Sequence, residues 1–115
     1  MRVLIIEDEP QTAALLKEII GEVYPQAEVT GIAESIEQSA KILSSTQPDL
    51  IFMDIQLADG LSFEIFKRVE VKCPVIFCTA YDQYTLQAFK SNGIEYILKP
   101  VKEEDIRTVL PKWKS

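Results

Sequence analysis

Residues 3–8 read VLIIED, four consecutive apolar residues set directly before two acids. A short apolar run that is rich in β-branched residues is typical of a strand buried on both faces of a sheet. Further strand-length apolar runs follow at residues 29–32, 50–53, 75–78 and 96–98. The sequence therefore predicts five buried strands, each followed by residues that do not continue the apolar run.

Stretches with helical character separate these five runs. Pro10 suits the first turn of a helix, with Asp8 or Glu9 near its N-cap, and apolar residues at helical spacing carry that helix to about residues 21–25. The other helices are expected from a cap at Ser35 to a point before Pro48, after the turn at Asp59-Gly60, over about residues 83–91, and from about residue 103, where Pro111 shortens or kinks the last one. The predicted order is strand then helix, repeated five times.

Buried strands joined by helix-length connections predict a parallel sheet with helices on both faces and right-handed crossovers. This is a doubly wound α/β fold in a single domain over residues 1–115, because 47% apolar residues are enough for one core. In such sheets the functional crevice lies beyond the carboxyl ends of the strands. The residues that follow each strand are therefore the candidates for function.

The composition limits what the chain can do. A net charge of −6 opposes the phosphate attraction behind most nucleic-acid binding, so we expect no DNA contact from this segment itself. No apolar run approaches the roughly 20 residues that span a bilayer, and the start lacks a secretory signal, which predicts a cytoplasmic protein without membrane contact.

The absence of histidine excludes histidine nucleophiles, histidine-ligated zinc and a phosphohistidine donor. Cys73 and Cys78 lie too far apart along one strand to bridge, so both are expected to be reduced.

Polar residues follow four of the predicted strands. Because the carboxyl ends of parallel strands meet at one edge of a sheet, one crevice is expected to hold Glu7, Asp8, Asp54, Thr79, Ala80 and Lys99. Three carboxylates brought together repel one another unless a cation neutralises them. Mg²⁺, with Mn²⁺ as a substitute, suits such a site of oxygen ligands, to which the backbone carbonyl of Gln56 is placed to contribute.

A carboxylate is also a nucleophile towards phosphorus, and Asp54 is the candidate that would form an acyl phosphate. The phosphoryl oxygens then need positioned charge and hydrogen bonds, for which the Lys99 ammonium, the Thr79 hydroxyl and the Ala80 N–H are available. The small side chain of Ala80 also leaves room for the phosphoryl group. At the Lys99-Pro100 linkage a cis peptide bond costs little, and such a bond would aim the lysine into the site.

Together these motifs resemble the full motif set of two-component response-regulator receiver domains, the CheY-like superfamily. The resemblance covers about residues 3–106, and the motifs occur in the family's order. They are Glu7-Asp8, Phe52-Met53-Asp54 with Asp59-Gly60, Thr79-Ala80 and Lys99-Pro100. The departures are small: Glu7 stands where Asp is more usual, and Ala58 replaces a frequent proline.

The resemblance implies a (βα)5 flavodoxin-like sandwich with a parallel sheet of strand order 2-1-3-4-5. It implies that Asp54 accepts a phosphoryl group from a sensor histidine kinase, that Glu7, Asp8 and Asp54 bind Mg²⁺, and that Thr79, Lys99 and Tyr96 take part in switching. The chain would be a signalling domain rather than an enzyme, limited to self-catalysed phosphoryl transfer and slow autodephosphorylation. Switching would reshape the face of the fourth helix, fifth strand and fifth helix, through which receivers form homodimers.

Three stretches, at residues 6–10, 79–82 and 96–101, are most similar to receivers of LytTR-type transcription regulators. That narrower resemblance implies a DNA-binding output domain, which residues 1–115 do not contain. The alternative is a stand-alone receiver that relays phosphate or binds a partner protein.

Other interpretations fit less well. A haloacid-dehalogenase-like phosphatase also uses an Asp nucleophile after a parallel strand, but it needs a second Asp two residues later, where Gln56 cannot exchange a proton. Each site residue taken singly also has a structural explanation: helix capping for Asp8, a turn for Asp54, a solvated charge for Lys99, a loop hydrogen bond for Thr79 and core packing for Tyr96.

Overall fold

The structure, a computed structural model, describes residues 1–80 and 95–110. The first half contains β1 (Arg2–Ile6), α1 (Pro10–Val23), β2 (Glu28–Ala33), α2 (Ile36–Ser45) and β3 (Leu50–Met53). The second half contains β4 (Gln56–Leu57), β5 (Gly60–Leu61), α3 (Phe63–Arg68), β6 (Val75–Thr79), β7 (Glu95–Leu98) and α4 (Glu103–Val109). No helix within these two ranges is long and apolar enough to span a bilayer. The helix predicted at residues 83–91 and the effect predicted for Pro111 lie outside the described residues.

Five strands form one parallel sheet in the order β2-β1-β3-β6-β7. The predicted order 2-1-3-4-5 is confirmed, since β6 and β7 are the fourth and fifth strands of that sheet. Ile6 pairs with Met53, and Met53 pairs with Phe77. β1 and β3 therefore end level with each other and β6 runs two residues further, to Thr79, so the residues that follow these strands share one edge.

The core has two halves, one on each face of the sheet. Along β1, Val3 and Ile5 belong to the cluster that includes the apolar sides of α1 and α4, whereas Leu4 and Ile6 belong to the cluster that includes those of α2 and α3. This alternation is the two-residue period of a strand. All four side chains are at most 2% exposed, and burying one of them contributes about 2 kcal/mol. The apolar run that opens the chain thus anchors both halves of the core.

Two helices begin at the edge where the strands end. Pro10 occupies the first position of α1, behind Glu9 as an N-cap whose side chain makes no capping bond. Ser35 caps α2 as predicted, because its hydroxyl accepts the Gln38 N–H at 3.0 Å. Both helix N-termini therefore flank the acidic edge of the sheet.

Both cysteines carry free thiols, as predicted. Cys78 is buried in β6, and burial raises the pKa of its thiol far above the usual range. Cys73 is half-buried, and burial raises its pKa to about 11. Neither thiol has the thiolate character that nucleophilic chemistry requires.

Candidate functional site

Three carboxylates meet at the carboxyl edge of the sheet. The Asp54 N–H donates to the Ile6 carbonyl at 2.9 Å, which sets the end of β3 beside the end of β1. Glu7, Asp8 and Asp54 each place a carboxylate oxygen within 4.8 Å of the others. Glu7 and Asp54 are only 4% and 8% exposed. The structure thus brings together the three acids that the strand-end pattern singled out.

Lys99 lies within this acidic cluster. Its backbone N–H donates to the Thr79 carbonyl at 2.8 Å, which fixes the residue after β7 against the end of β6. Its Nζ lies 2.7 Å from Glu7 Oε1 and 2.9 Å from Asp54 Oδ2. The side chain is 17% exposed. Lys99 is therefore an internal counter-ion of two buried carboxylates and not a solvated strand-end charge.

Burial and charge pairing shift the pKa values of this pair. Burial, reinforced by the charge of Asp54, raises the pKa of Glu7 to about 7 against the opposing hydrogen bond from Lys99. Burial alone would lower the pKa of Lys99, but its hydrogen bonds to Glu7 and Asp54 outweigh that effect and raise it. Lys99 consequently stays charged at neutral pH.

The donor set fits a hard divalent cation. Three carboxylates face one ammonium, which leaves two negative charges without a partner when all the acids are ionised. Asp8 is more exposed than Glu7 and Asp54, so the cluster opens towards solvent on its side. Oxygen ligands of this kind are those that Mg²⁺ and Mn²⁺ prefer. The residues present therefore suit the cation that the sequence predicted.

The segment that follows Asp54 contains a short hairpin, which the sequence did not predict. We call residues 55–62 the acceptor loop; within it, β4 and β5 pair in antiparallel fashion. The Ser62 N–H donates to the Ile55 carbonyl at 2.7 Å. Because hydrogen-bonded and non-hydrogen-bonded pairs alternate along an antiparallel ladder, the next pair, Gln56 and Leu61, is a non-hydrogen-bonded one. The backbone groups of Gln56 are thus directed away from the hairpin ladder, and its N–H lies 3.4 Å from Asp54 Oδ1. This placement suits the predicted role of the Gln56 carbonyl as a metal ligand.

The residues predicted for phosphoryl binding and switching lie on or directly after the last two strands, β6 and β7. Thr79 ends β6 and is fully buried, whereas Ala80 follows it and is exposed. Tyr96 pairs with Phe77 across β7 and β6, and its half-buried side chain packs against the core cluster of α2 and α3. The Lys99-Pro100 peptide bond is cis. Of these positions, Thr79 is joined to Lys99 by the backbone hydrogen bond and Pro100 by the peptide bond.

Asp59 makes a contact that sequence reasoning missed. The Asp59-Gly60 dipeptide signalled a turn, and the hairpin turns at Ala58 and Asp59, with Gly60 at a φ of +137° as the first residue of β5. The Asp59 carboxylate also accepts the Ile36 N–H at 2.9 Å, at the start of α2. The hydrogen bond from Ile36 holds the pKa of Asp59 below its usual value. The acceptor loop is therefore tied to a helix that precedes it by more than twenty residues.

Comparisons with known sequences agree on one family for this chain. Residues 3–111 match the response regulator receiver domain family. The chain is 39% identical over its whole length to the sensory transduction protein LytT of Bacillus cereus, of which it covers 48%. Over 97% of its length it is 36% identical to the transcriptional regulatory protein LytR of Staphylococcus aureus, of which it covers 46%. The chain thus spans about half the length of the curated relatives it matches.

Solved structures agree with the sequence comparison. The response regulatory domain of protein mrkE from Klebsiella pneumoniae superimposes with a TM-score of 0.82 at 31% identity, over 98% of this chain and 94% of that one. The receiver domain of PhyR from Erythrobacter litoralis gives a TM-score of 0.77 at 32% identity, over 97% and 88% of the two chains. The matched region contains the acidic cluster, Lys99 and the parallel sheet that positions them. The chain belongs to the response regulator receiver domain family.

Proposed function

We propose that this domain is a phosphoacceptor switch of a two-component system, in which Asp54 receives a phosphoryl group from a sensor histidine kinase. One observation carries the proposal: Asp54 lies in an acidic cluster with Glu7 and Asp8, and its Oδ2 is 2.9 Å from Lys99 Nζ. The cluster stands at the carboxyl edge of the sheet, where sheets of this class bind their ligands. The family assignment supports the same function.

The transfer forms a bond between an Asp54 oxygen and phosphorus while the bond between phosphorus and the donor breaks, and the donor leaves with that electron pair. Lys99 supplies positive charge beside the Asp54 oxygen, in place before the reaction. Thr79 and the Ala80 N–H are the further donors we assign to the phosphoryl oxygens. Since all of these groups sit on or beside strand ends, the sheet holds them in position.

The acids hold the cation in this proposal. Asp8 and Asp54 would bind Mg²⁺ or Mn²⁺ directly, Glu7 through water, and the Gln56 carbonyl would complete the protein's share. The cation, when bound, neutralises charge on the phosphoryl group. Glu7 also pairs with Lys99, so this acid links the metal side of the site to the phosphoryl side.

The output that we propose for the switch uses Thr79 and Tyr96, which lie on neighbouring strands. Phosphorylation would draw Thr79 towards the new oxyanion and let Tyr96 turn inward, which favours one of two packings of the face of the fourth predicted helix, β7 and α4. We infer homodimerisation through that face. The fourth predicted helix itself lies outside the described residues.

We propose that this domain belongs to a longer protein that regulates transcription. The relatives named LytT and LytR are about twice as long as this chain, which leaves room in such proteins for an output domain. We therefore propose a DNA-binding output domain in the whole protein. We also propose a cytoplasmic location. The alternative is a stand-alone receiver that relays phosphate or binds a partner, and the reading frame after residue 115 decides between the two.

Phosphate incorporation tests the acceptor assignment. The wild type, treated with labelled acetyl phosphate and Mg²⁺, should gain label that hydroxylamine releases, as expected for an acyl phosphate, and a chelator should prevent labelling. Asp54→Asn should remain unlabelled. Asp49→Asn is the matched control, because the Asp49 carboxylate accepts the Arg2 N–H at the opposite edge of the sheet, and it should label as wild type does. Equal labelling of Asp54→Asn and wild type would show that the acceptor lies elsewhere.

Sedimentation tests the proposed dimer. The beryllofluoride-bound or phosphorylated domain should sediment as a dimer at concentrations where the untreated domain is a monomer. A monomer in both states at high concentration would contradict dimerisation as the output.

A further inference from the structure

The first turn of α2 is capped by two side chains from different parts of the chain. Asp59 Oδ1 accepts the Ile36 N–H at 2.9 Å, and Asp59 Oδ2 accepts the Glu37 N–H at 3.3 Å. Ser35 caps the same turn locally, by accepting the Gln38 N–H at 3.0 Å. An α-helix leaves its first N–H groups without partners inside the helix. Here the acceptor loop supplies the acceptor for two of them.

The backbone beside Asp59 packs on the same helix. A Cβ placed on Gly60 would lie 3.3 Å from Cδ1 of Ile36, so the missing side chain permits the close approach. Ile36 is 2% exposed and shares a core cluster with Ile55 and Leu57 of the acceptor loop. The loop is therefore both hydrogen-bonded to and packed against the N-terminus of α2.

The opposite side of the acceptor loop borders Asp54. The Gln56 N–H lies 3.4 Å from Asp54 Oδ1, and the Leu57–Gly60 pair joins this side of the hairpin to the Asp59 side. A two-stranded hairpin of two residues each is marginal by itself in water. Its position beside Asp54 consequently depends on its attachments, of which the Asp59 carboxylate is one.

We propose that Asp59 is a positioning residue: by capping α2 it holds the acceptor loop in the conformation that receives a divalent cation beside Asp54. Asp59 acts through the loop and not on the reacting atoms, and the inference rests on the proposed function. Linkage makes the coupling reciprocal. Cation binding at Asp54 therefore strengthens the Asp59 cap on α2 by some factor, and loss of that cap weakens cation binding by the same factor.

The Mg²⁺ dependence of phosphate incorporation tests this role in the full chain. Asp59→Ala should raise the half-saturating Mg²⁺ concentration about fivefold, the factor that loss of a typical N-cap represents, and should leave the rate at saturating Mg²⁺ within about twofold of wild type. Asp59→Asn keeps an oxygen acceptor and should stay within about twofold in both quantities. This split between the two quantities is not expected from general loss of stability.

Two control variants separate the loop from the helix and from overall stability. Ser35→Ala removes a cap from the same helix without touching the acceptor loop. Asp49→Ala removes a carboxylate that accepts a backbone N–H, from Arg2 at 2.6 Å, at the far edge of the sheet. Both should keep the wild-type Mg²⁺ dependence. An equal shift for Ser35→Ala and Asp59→Ala would overturn the proposal.

Amide hydrogen exchange of the unphosphorylated protein gives a readout that does not depend on phosphoryl transfer. Asp59→Ala should speed exchange at Ile36 and also at Ser62 in the acceptor loop, whereas Ser35→Ala should affect only α2. Mg²⁺ should slow exchange at Ile36 in wild type and not in Asp59→Ala. An unchanged Ser62 rate in Asp59→Ala would overturn the inference. Failure of the wild type to incorporate phosphate would instead count against the proposed function, while the Ser62 comparison would still decide the role of Asp59.

Discussion

Replacing Lys99 by methionine tests the charge balance of the acidic site. Lys99 Nζ lies 2.7 Å from Glu7 and 2.9 Å from Asp54, which are 4% and 8% exposed. Methionine keeps most of the side-chain volume but removes the charge, so two buried carboxylates are left facing each other. Breaking a buried ion pair costs about 3–5 kcal/mol. Because one carboxylate can take up a proton, we expect the unfolding free energy to fall by about 3 kcal/mol.

Urea unfolding followed by circular dichroism measures this loss. Lys17→Met is the matched control, since Lys17 is exposed on α1, and it should change the unfolding free energy by less than about 0.5 kcal/mol. Mg²⁺ should stabilise Lys99→Met more than it stabilises wild type, because the cation replaces the missing positive charge. Equal stability of the two variants without Mg²⁺, or a loss that Mg²⁺ does not reduce, would refute the charge-balance argument.

Three other properties can be checked on the same protein. The hydrogen bond from Ile36 lowers the pKa of Asp59, so Asp59 stabilises the fold fully above about pH 4 and loses this effect as the pH falls through its folded pKa. The difference in unfolding free energy between wild type and Asp59→Ala should be about 0.5–1 kcal/mol near neutral pH and should shrink in acid. A difference independent of pH would contradict the cap. Gly60→Ala should lower the unfolding free energy in urea by about 1–2 kcal/mol because of the positive φ and the contact with Ile36, whereas Gly21→Ala, inside α1 with open space around its Cβ, should raise it by about 0.5–1 kcal/mol; equal effects would argue against loop strain. An alkylating reagent should leave buried Cys78 unmodified in the native protein and modify Cys73 first, as mass spectrometry would show; early labelling of Cys78 would disagree with its burial.

The sheet could be predicted from the sequence because its strands are buried on both faces and so read as continuous apolar runs. The run at residues 50–53 has the same bounds as β3. The first two strands begin one residue earlier than their apolar runs, at Arg2 and Glu28. These two exposed residues pair through their backbones, and hydrophobicity carries no signal for a backbone pairing between polar residues.

The membership of the site was predictable for a related reason. Parallel strands end at one edge, so the residue after each strand is delivered there whatever its type. The partners within the site were not predictable. The sequence predicts a phosphoryl contact for Lys99, which stays a prediction, and carried no signal for the ion pairs of Lys99 with Glu7 and Asp54. Which oxygens a lysine reaches depends on side-chain packing and on the exact separation of strand ends, and the contact of Asp59 with α2 depends likewise on tertiary structure.

The two contacts of Lys99 have different consequences if Asp54 is phosphorylated. Phosphorylation converts the Asp54 carboxylate to a neutral ester-like carbonyl and adds a phosphoryl group of about two negative charges to it. The attraction that holds Lys99 to Asp54 then passes to the phosphoryl oxygens, over a short distance. Glu7 does not react, so its contact with Lys99 at 2.7 Å can persist and hold the ammonium in place. The positive charge is therefore positioned before the reaction by an acid that remains unchanged, which keeps the reorganisation during phosphoryl transfer small.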